Sequence, residues 1–98
     1  MEDTIPYTLQ VKLENKGYRQ KDKRYKRHIY DVLKWLRKEK NIYVIVFLAD
    51  DSDKPVTYEI NNGKNMECLY HHQNNYFSLD KWDDANIEAI KYVCENLI

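Results

Sequence analysis

The stretch DVLKWLRKEKNIYVIVFLA, from Asp31 to Ala49, changes its hydrophobic period at Asn41. On the N-terminal side of that residue, apolar side chains recur every three or four positions, which indicates an amphipathic helix. From Ile42 onward the apolar run is continuous and rich in β-branched residues, as in strands that are buried on both faces. The stretch therefore predicts a helix followed directly by a central strand of a sheet.

The helical pattern begins before this stretch, at about Asp22, and ends at Lys40. At 100° per residue, one side of the predicted helix is apolar and comprises Tyr25, Ile29, Val32, Leu33 and Leu36. The opposite side collects the cations Lys23, Arg27, Lys34 and Lys38, with Tyr30 and Trp35 at its borders. We expect this helix to cover a sheet with one side and to present positive charge with the other.

Alternation of apolar and polar residues predicts half-buried strands at Tyr7–Glu14 and at Val56–Asn61. The dipeptide Asn62-Gly63 follows the second of these, and Asn-Gly is the strongest short hairpin signal. The segment Met66–His72 is therefore expected to return as the next strand.

A second apolar stripe predicts a last helix, with Ile87, Ile90, Val93, Cys94 and Leu97 as its members. Asp80 or Asp83 is expected to cap the start of this helix, because a short side-chain oxygen there can accept a hydrogen bond from a free backbone N–H.

The predicted order of elements is β-α-β-β-β-α, in a single domain of residues 1–98. The hairpin signal favours a mostly antiparallel sheet, and two amphipathic helices need an apolar surface to cover. The expected fold class is α+β, a two-layer sandwich with both amphipathic helices on one face of the sheet.

The order helix–three strands–helix over residues 22–98 resembles the topology of the double-stranded-RNA-binding domain. That family carries a lysine cluster at the start of its last helix, where it grips phosphates. The corresponding segment here reads DKWDDANIEA and is acidic. The resemblance is therefore one of topology, and the phosphate contact that it implies has the opposite sign in this chain.

The charges sum to zero but are divided unevenly along the chain. Residues 1–15 hold one base and three acids, residues 16–40 hold eleven bases and three acids, and residues 41–98 hold four bases and ten acids. Such a division indicates an interaction face. The alternative is that the acidic part folds against the basic part and neutralises it.

The densest cationic segment is KGYRQKDKRYKRH, Lys16–His28. With the predicted helix it gives a candidate partner-binding surface of Arg19, Lys21, Lys23, Arg24, Arg27, Tyr30, Lys34, Trp35, Arg37 and Lys38. Clustered cations bind phosphates, and Tyr18, Tyr30 and Trp35 are candidates for stacking on unpaired bases. An acidic protein surface would suit the same cations, and a merely solvated helix face is a third alternative. The sequence pI of about 6.8 is low for a nucleic-acid-binding domain.

Groupings that would support catalysis are weak. Asp50, Asp51 and Asp53 follow a predicted strand, where carboxylates can hold Mg²⁺, but a polar β-turn that solubilises a hairpin is much the stronger explanation. A nuclease with an Asp…Glu-x-Lys arrangement would need a lysine two residues after Glu59, and Asn61 stands there. A metal-dependent nuclease is therefore the weakest alternative, and we expect a protein that is not an enzyme.

The residues Cys68, His71 and His72 form a Cys-x-x-His-His cluster of zinc-type ligands. Adjacent residues of a strand point to opposite faces, so His71 and His72 are not expected to reach one ion. Cys94 belongs to the apolar stripe of the last helix. The sequence accordingly predicts no metal and no other cofactor.

These observations favour a small intracellular binding protein that docks an acidic protein surface or a nucleic acid through its basic helix, with a homodimer as a further alternative. Two widely separated cysteines and an acidic, signal-free start predict a cytoplasmic location. The apolar runs are too short for a membrane span. Lys, Asn, Tyr and Ile exceed a third of the chain, a composition that suits an accessory or inhibitory protein of a phage or mobile element.

Overall fold

The computed structural model describes residues 6–18, 29–49, 53–72 and 76–98. In these ranges the chain is α+β, with three α-helices and a three-stranded antiparallel sheet. The elements in chain order are α1 (Tyr7–Asn15), α2 (Ile29–Lys40), β1 (Ile42–Leu48), β2 (Val56–Asn62), β3 (Cys68–His71), a 3₁₀ turn (Leu79–Lys81) and α3 (Trp82–Asn96). From α2 onward this order agrees with the prediction.

The first described element is a helix, although the alternating pattern predicted a strand. In α1, Leu9 and Leu13 are buried, whereas Tyr7 is 77% exposed and Val11 is also exposed. A strand would place all four side chains on one face, but a helix brings together only residues three or four apart. The prediction of a strand at Tyr7–Glu14 is therefore wrong.

The end of α1 shows why this segment is helical. Gly17 has φ +104, a conformation that L-residues with a Cβ rarely adopt. The Tyr18 N–H donates to the Leu13 carbonyl at 3.0 Å and the Gly17 N–H to the Glu14 carbonyl at 3.1 Å. These two bonds are those of a Schellman motif, which ends helices and packs the residue after the glycine onto the last turn. Tyr18 is accordingly buried in the same core cluster as Leu13.

The sheet has the strand order β1-β2-β3. β1 pairs with β2 along its whole length, from Ile42 opposite Asn62 to Leu48 opposite Val56. Within the described residues β2 is therefore the central strand and β1 an edge strand, so the central position predicted for Ile42–Ala49 is wrong. A continuous apolar run is compatible with either position, because only pairing on the second side distinguishes them.

The hairpin predicted at Asn62-Gly63 is confirmed, since β2 and β3 pair antiparallel across it. A Cβ on Gly63 would lie 2.7 Å from the Tyr43 ring and 3.0 Å from the Asn41 carbonyl oxygen. The Gly63 N–H donates to that same carbonyl, and Asn62 Oδ1 accepts from the Lys64 N–H at 2.8 Å. The glycine is therefore required by the close approach of Tyr43.

One face of the sheet carries the core. Alternate residues of the strands belong to it, namely Ile42, Val44, Val46, Val56, Tyr58, Ile60 and Tyr70. Against them α2 packs on β1, and α3 packs on both β1 and β2. The intervening residues, such as Tyr43 and Glu59, point to the other face of the sheet.

The two predicted amphipathic helices bury the expected sides. In α2 the buried residues are Ile29, Val32, Leu33 and Leu36, and in α3 they include Ile90, Val93 and Cys94. The part of the first predicted helix before Ile29 lies outside the described residues. The cap predicted at Asp80 or Asp83 is wrong: α3 begins after Lys81 without a side-chain cap bond, and Asp80 accepts instead from the Ser78 hydroxyl at 2.6 Å.

Candidate basic interface

The exposed side of α2 carries four neighbouring side chains, which we call the basic stripe: Tyr30, Lys34, Arg37 and Lys38. Their spacing of four, three and one residues places them within about a quarter of the helix circumference. All four are exposed, and Tyr30 is 55% exposed in spite of its large ring. The core residues of α2 lie on the opposite side. The helix therefore buries one side and leaves three cations and a tyrosine available for contact.

Within the described ranges, the cations of the basic stripe are not neutralised by the acidic part of the chain. Among the described residues, no ion pair or hydrogen bond joins the side chains of Lys34, Arg37 or Lys38 to a carboxylate. The acids nearest in sequence, Asp31 and Glu39, are also exposed on α2. In the described ranges the alternative of internal neutralisation therefore fails for this helix.

The lysines of α1 and of the turn after it behave differently. Lys12 Nζ lies 3.4 Å from Glu95 Oε1 of α3. Lys16 Nζ donates to the backbone oxygen of Ile98 at 2.7 Å. Part of the positive charge near the start of the cationic segment is thus used to hold α1 and its turn against the end of α3.

The aromatic side chains near the stripe divide into exposed and packed groups. Trp35 is half-buried against the core, and its ring meets that of Tyr18 edge-on with 5.3 Å between centroids. Lys40 Nζ lies 5.5 Å from the centre of the same indole. Tyr18 is only 5% exposed, so its assignment as a base-stacking residue is wrong. Of these three aromatic residues, Tyr30 is the one that is exposed among the described residues.

Five residues of the predicted partner-binding surface lie outside the described ranges: Arg19, Lys21, Lys23, Arg24 and Arg27. The other five, all on α2, lie within them. Four of these form the basic stripe, and Trp35 stands beside it with its ring engaged by Tyr18 and Lys40. The structure therefore brings together the second half of the predicted surface.

The start of α3 carries negative charge, as its sequence predicted. Asp83 and Asp84 occupy its first turn, where carboxylates interact favourably with the helix dipole. Asp80 in the preceding 3₁₀ turn has a pKa below its usual range, chiefly because the Ser78 hydroxyl donates to it. Together the three acids give the start of α3 a negative surface, which would repel phosphates.

The two histidines of the Cys-x-x-His-His cluster diverge, as predicted. His71 Nδ1 lies 3.7 Å from Glu59 Oε2 on the face away from the core. His72 stacks on the Tyr58 ring at 4.8 Å and lies near Glu88 of α3. In the described part of the chain, no three His, Cys, Asp or Glu side chains come together as metal ligands would.

A cluster of aromatic and titratable side chains around His72 was not found by sequence reasoning. His72 Nε2 is buried without a hydrogen bond and lies 3.7 Å from Glu88 Oε2. Burial, followed by the nearby charge of Glu88 and by Tyr70, raises the pKa of Tyr58 far above its usual range. Tyr70 in turn stacks on Tyr92 of α3 at 3.9 Å. The cluster joins β2, β3 and α3, and the even-numbered spacing of Tyr58, Tyr70 and His72 on the core face was the available signal.

The aspartates considered as a metal site are only partly described. Asp53 is exposed, and Asp50 and Asp51 lie outside the described residues. Glu59, considered with them, lies on the open face of β2 beside His71. The described residues give this alternative no support.

Comparison with known proteins gives no match: no family model fits the chain, and no curated protein or solved structure is significantly similar to it. None of the helices in the described ranges is long and apolar enough to cross a lipid bilayer.

Proposed function

We propose that this protein is a small binding module that docks an acidic surface of a partner protein through the basic stripe of α2. The observation that carries the proposal is the row of Lys34, Arg37 and Lys38, exposed and without an anionic partner among the described residues. Interface positions favour arginine and tyrosine, and the stripe contains Arg37 together with the exposed Tyr30.

The packing behind the stripe supports a docking role. Four side chains of α2 are buried, and the helix rests on β1, so the stripe is held on a rigid support. We infer that the helices and the sheet form a two-layer sandwich whose purpose is to present this helix. A preorganised surface loses less conformational entropy on binding than a flexible basic tail.

An acidic protein is favoured over a nucleic acid for two reasons. Tyr18 is buried and Trp35 is half-buried in contact with it, which removes two of the three platforms on which unpaired bases would stack. The first turn of α3 carries Asp83 and Asp84, at the place where the double-stranded-RNA-binding domain has its lysine cluster. Among the described residues, the start of α3 therefore does not supply the second cationic contact that a duplex would need.

We infer that the module acts by occupying its partner, as an accessory or inhibitory protein of a phage or mobile element would, inside the cytoplasm and without catalysis. A complementary charge pattern would accelerate association with an acidic partner and would make its rate fall with salt. Orientation would come from the bidentate guanidinium of Arg37 and from the ring of Tyr30.

The test uses defined polyanions and a charge-reversed variant. Fluorescence anisotropy would measure binding of labelled poly-glutamate, of duplex RNA and of single-stranded DNA at several salt concentrations. The variant carries Lys34→Glu, Arg37→Glu and Lys38→Glu. The control carries two reversals, Lys12→Glu and Lys16→Glu, at sites that the structure assigns to internal contacts.

We expect poly-glutamate to bind the natural chain at low salt, with a loss of about two orders of magnitude or more in affinity on reversal of the stripe. The control should lose less than tenfold. Affinity capture from nuclease-treated lysate should recover a protein with the natural chain and not with the stripe variant. Equal affinity of the stripe variant and the control variant for poly-glutamate would reject the stripe as the binding surface. Tighter binding of duplex RNA than of poly-glutamate, together with a lysate complex that disappears after nuclease treatment, would make the partner a nucleic acid instead of an acidic protein.

A further inference from the structure

The outer side of β1 is a row of backbone groups without a strand beside it in the described part of the chain. The Ala49 N–H donates to the Pro55 carbonyl, and the Asn41 carbonyl accepts from the Gly63 N–H. Both residues are odd-numbered, and in an antiparallel pair the groups of alternate residues point to the same neighbour. The N–H and C=O groups of Ile42, Val44, Val46 and Leu48 therefore point outward, away from β2.

Two edges of the same sheet differ in how they are protected from pairing. β3 is four residues long, and its pairing with β2 is interrupted by a register shift. Short length and bulges are devices by which edge strands avoid other chains. β1 is seven residues long and regularly paired with β2, and it contains no charged residue and no proline. Of the two, only β1 is a suitable template for another strand.

We propose that β1 pairs with β1 of a second copy of this chain, so that two three-stranded sheets join as one antiparallel sheet with Ile45 at the two-fold axis. This register places Ile42 opposite Leu48 and Val44 opposite Val46. It engages every outward-pointing group of both strands in about eight backbone hydrogen bonds. A shift in either direction would leave some of these groups without partners.

The side chains favour a second copy over an unrelated strand. On the open face, Tyr43 lies opposite Phe47 of the second copy and Ile45 lies opposite itself, and such aromatic and β-branched cross-strand pairs are favourable. On the core face, Ile42 meets Leu48, which is 59% exposed in the single chain. No like charges face each other in this register. A two-fold interface must be complementary to itself, and the β1 sequence satisfies that condition at each position.

The arrangement also affects the surface described above. A two-fold axis perpendicular to a continuous sheet keeps the helices of both copies on the same side. The two α2 helices, each packed on its own β1, would then present two basic stripes on one side of the dimer. The proposed dimer does not depend on whether the basic stripe binds a protein or a nucleic acid, because its evidence is the edge of β1 alone.

Disulfide trapping tests the register. In a Cys68→Ser background, which removes the exposed thiol, Ile45→Cys places two cysteines at a non-hydrogen-bonded pair with Cα atoms about 4.5 Å apart. That separation falls within the range of roughly 4.4–6.8 Å that a disulfide spans. Leu48→Cys is the matched control on the same strand, because its two copies would be separated by about 20 Å.

We expect the Ile45→Cys chain to form a covalent dimer under mild oxidation and the Leu48→Cys chain to stay monomeric on a non-reducing gel. Light scattering should show a dimer for the natural chain. It should show a monomer for Ile45→Lys, which sets two ammonium groups against each other, and a dimer for Leu69→Lys, the same change on β3. Three results would each overturn the proposal. They are a monomeric natural chain, a dimer that survives Ile45→Lys, and disulfide trapping at Leu48→Cys but not at Ile45→Cys.

If Ile45→Lys fails to fold, circular dichroism will show it, and the trapping experiment then decides alone. A strand of another protein or a further segment of this chain on the edge of β1 would give a monomeric natural chain and no trapped homodimer. Either result counts against pairing with a second copy. Binding of polyanions by the stripe is measured separately, so failure of the dimer and failure of the proposed function are distinguishable.

Discussion

The lysines of α1 and its turn and the cations of α2 have the same chemistry and opposite uses. Lys12 and Lys16 reach the end of α3, where they contact Glu95 and the backbone oxygen of Ile98. Lys34 and Lys38 on α2 are exposed and contact no acid among the described residues. A charge count along the chain cannot separate these groups, because both helices contact α3 and the separation depends on which of their side chains reach it.

The difference follows from how each helix is placed. α1 packs against α3 through Leu9 and Leu13, so its polar residues lie next to the polar residues of α3. α2 packs on β1 and also contacts α3, but it does so with its buried side, and the basic stripe on the opposite side stays exposed among the described residues. Lys12 and Lys16 therefore serve the fold, whereas the cations of the basic stripe stay exposed among the described residues.

The largest loss of stability is expected from removing the buried contact that positions α1. Leu13 is fully buried, so Leu13→Ala should lower the free energy of unfolding by about 3 kcal/mol through lost burial and a residual cavity. Urea denaturation would measure it. Val11→Ala is the control, since Val11 is exposed on the same helix and should cost well under 1 kcal/mol. Equal costs at the two positions would mean that α1 is not docked as described.

The next largest loss of stability is expected at alkaline pH, and its source is the buried thiol of Cys94, which senses the charges of Lys12 and Lys16. Burial raises the pKa of Cys94 to about 11, and Lys16 and Lys12 oppose that rise. Below about pH 9 the folded and unfolded chains both keep the proton and stability is unchanged. Between pH 9 and 11 the unfolded chain releases the proton while the folded chain retains it, so stability should fall by roughly 2 kcal/mol.

The measurement is urea denaturation from pH 8 to 11, compared with Cys94→Ala. Tyr58 lowers stability in the same direction above about pH 10, because its pKa is also raised, and the difference between the two chains isolates the thiol. Replacing both Lys12 and Lys16 by Gln should raise the pKa of Cys94 further, and replacing Lys34 and Lys38 should not change it. A shift caused by the α2 pair would contradict the separation of the two groups.

The helical pattern of α2 and α3 and the hairpin at Gly63 could be predicted from sequence because local periodicity and turn chemistry determine them. The helix α1 could not be distinguished from a strand by alternation alone, although Gly17 after an i, i+4 leucine pair was an available sign of a helix end. The edge position of β1 and the packing of Tyr18 on Trp35 depend on contacts between distant segments. The five α2 residues of the candidate surface could be named from sequence. Whether the acidic part of the chain would pair with them could not, because that also depends on contacts between distant segments.

The helix end itself offers a smaller test. Because Gly17 has φ +104 and open space around it, Gly17→Ala meets no clash and measures backbone strain alone, which we expect to be about 1–2 kcal/mol. Gly17→Asn should cost less, since asparagine tolerates positive φ better than alanine. Thermal unfolding of both variants would compare them. An alanine variant as stable as the natural chain would show that this glycine does not determine the end of α1.

The smallest effect expected is that of the ion pair between the two helices. The side chains of Lys12 and Glu95 are both partly exposed, so their coupling should be about 0.2–1 kcal/mol and should decrease with salt. A double-mutant cycle with Lys12→Gln and Glu95→Gln would measure it. Lys34→Gln combined with Glu95→Gln is the matched cycle across sites that do not touch, and its coupling should be zero within error. If the second cycle gave the larger coupling, Lys34 would lie close to Glu95 in solution and the basic stripe would not be free to bind a partner.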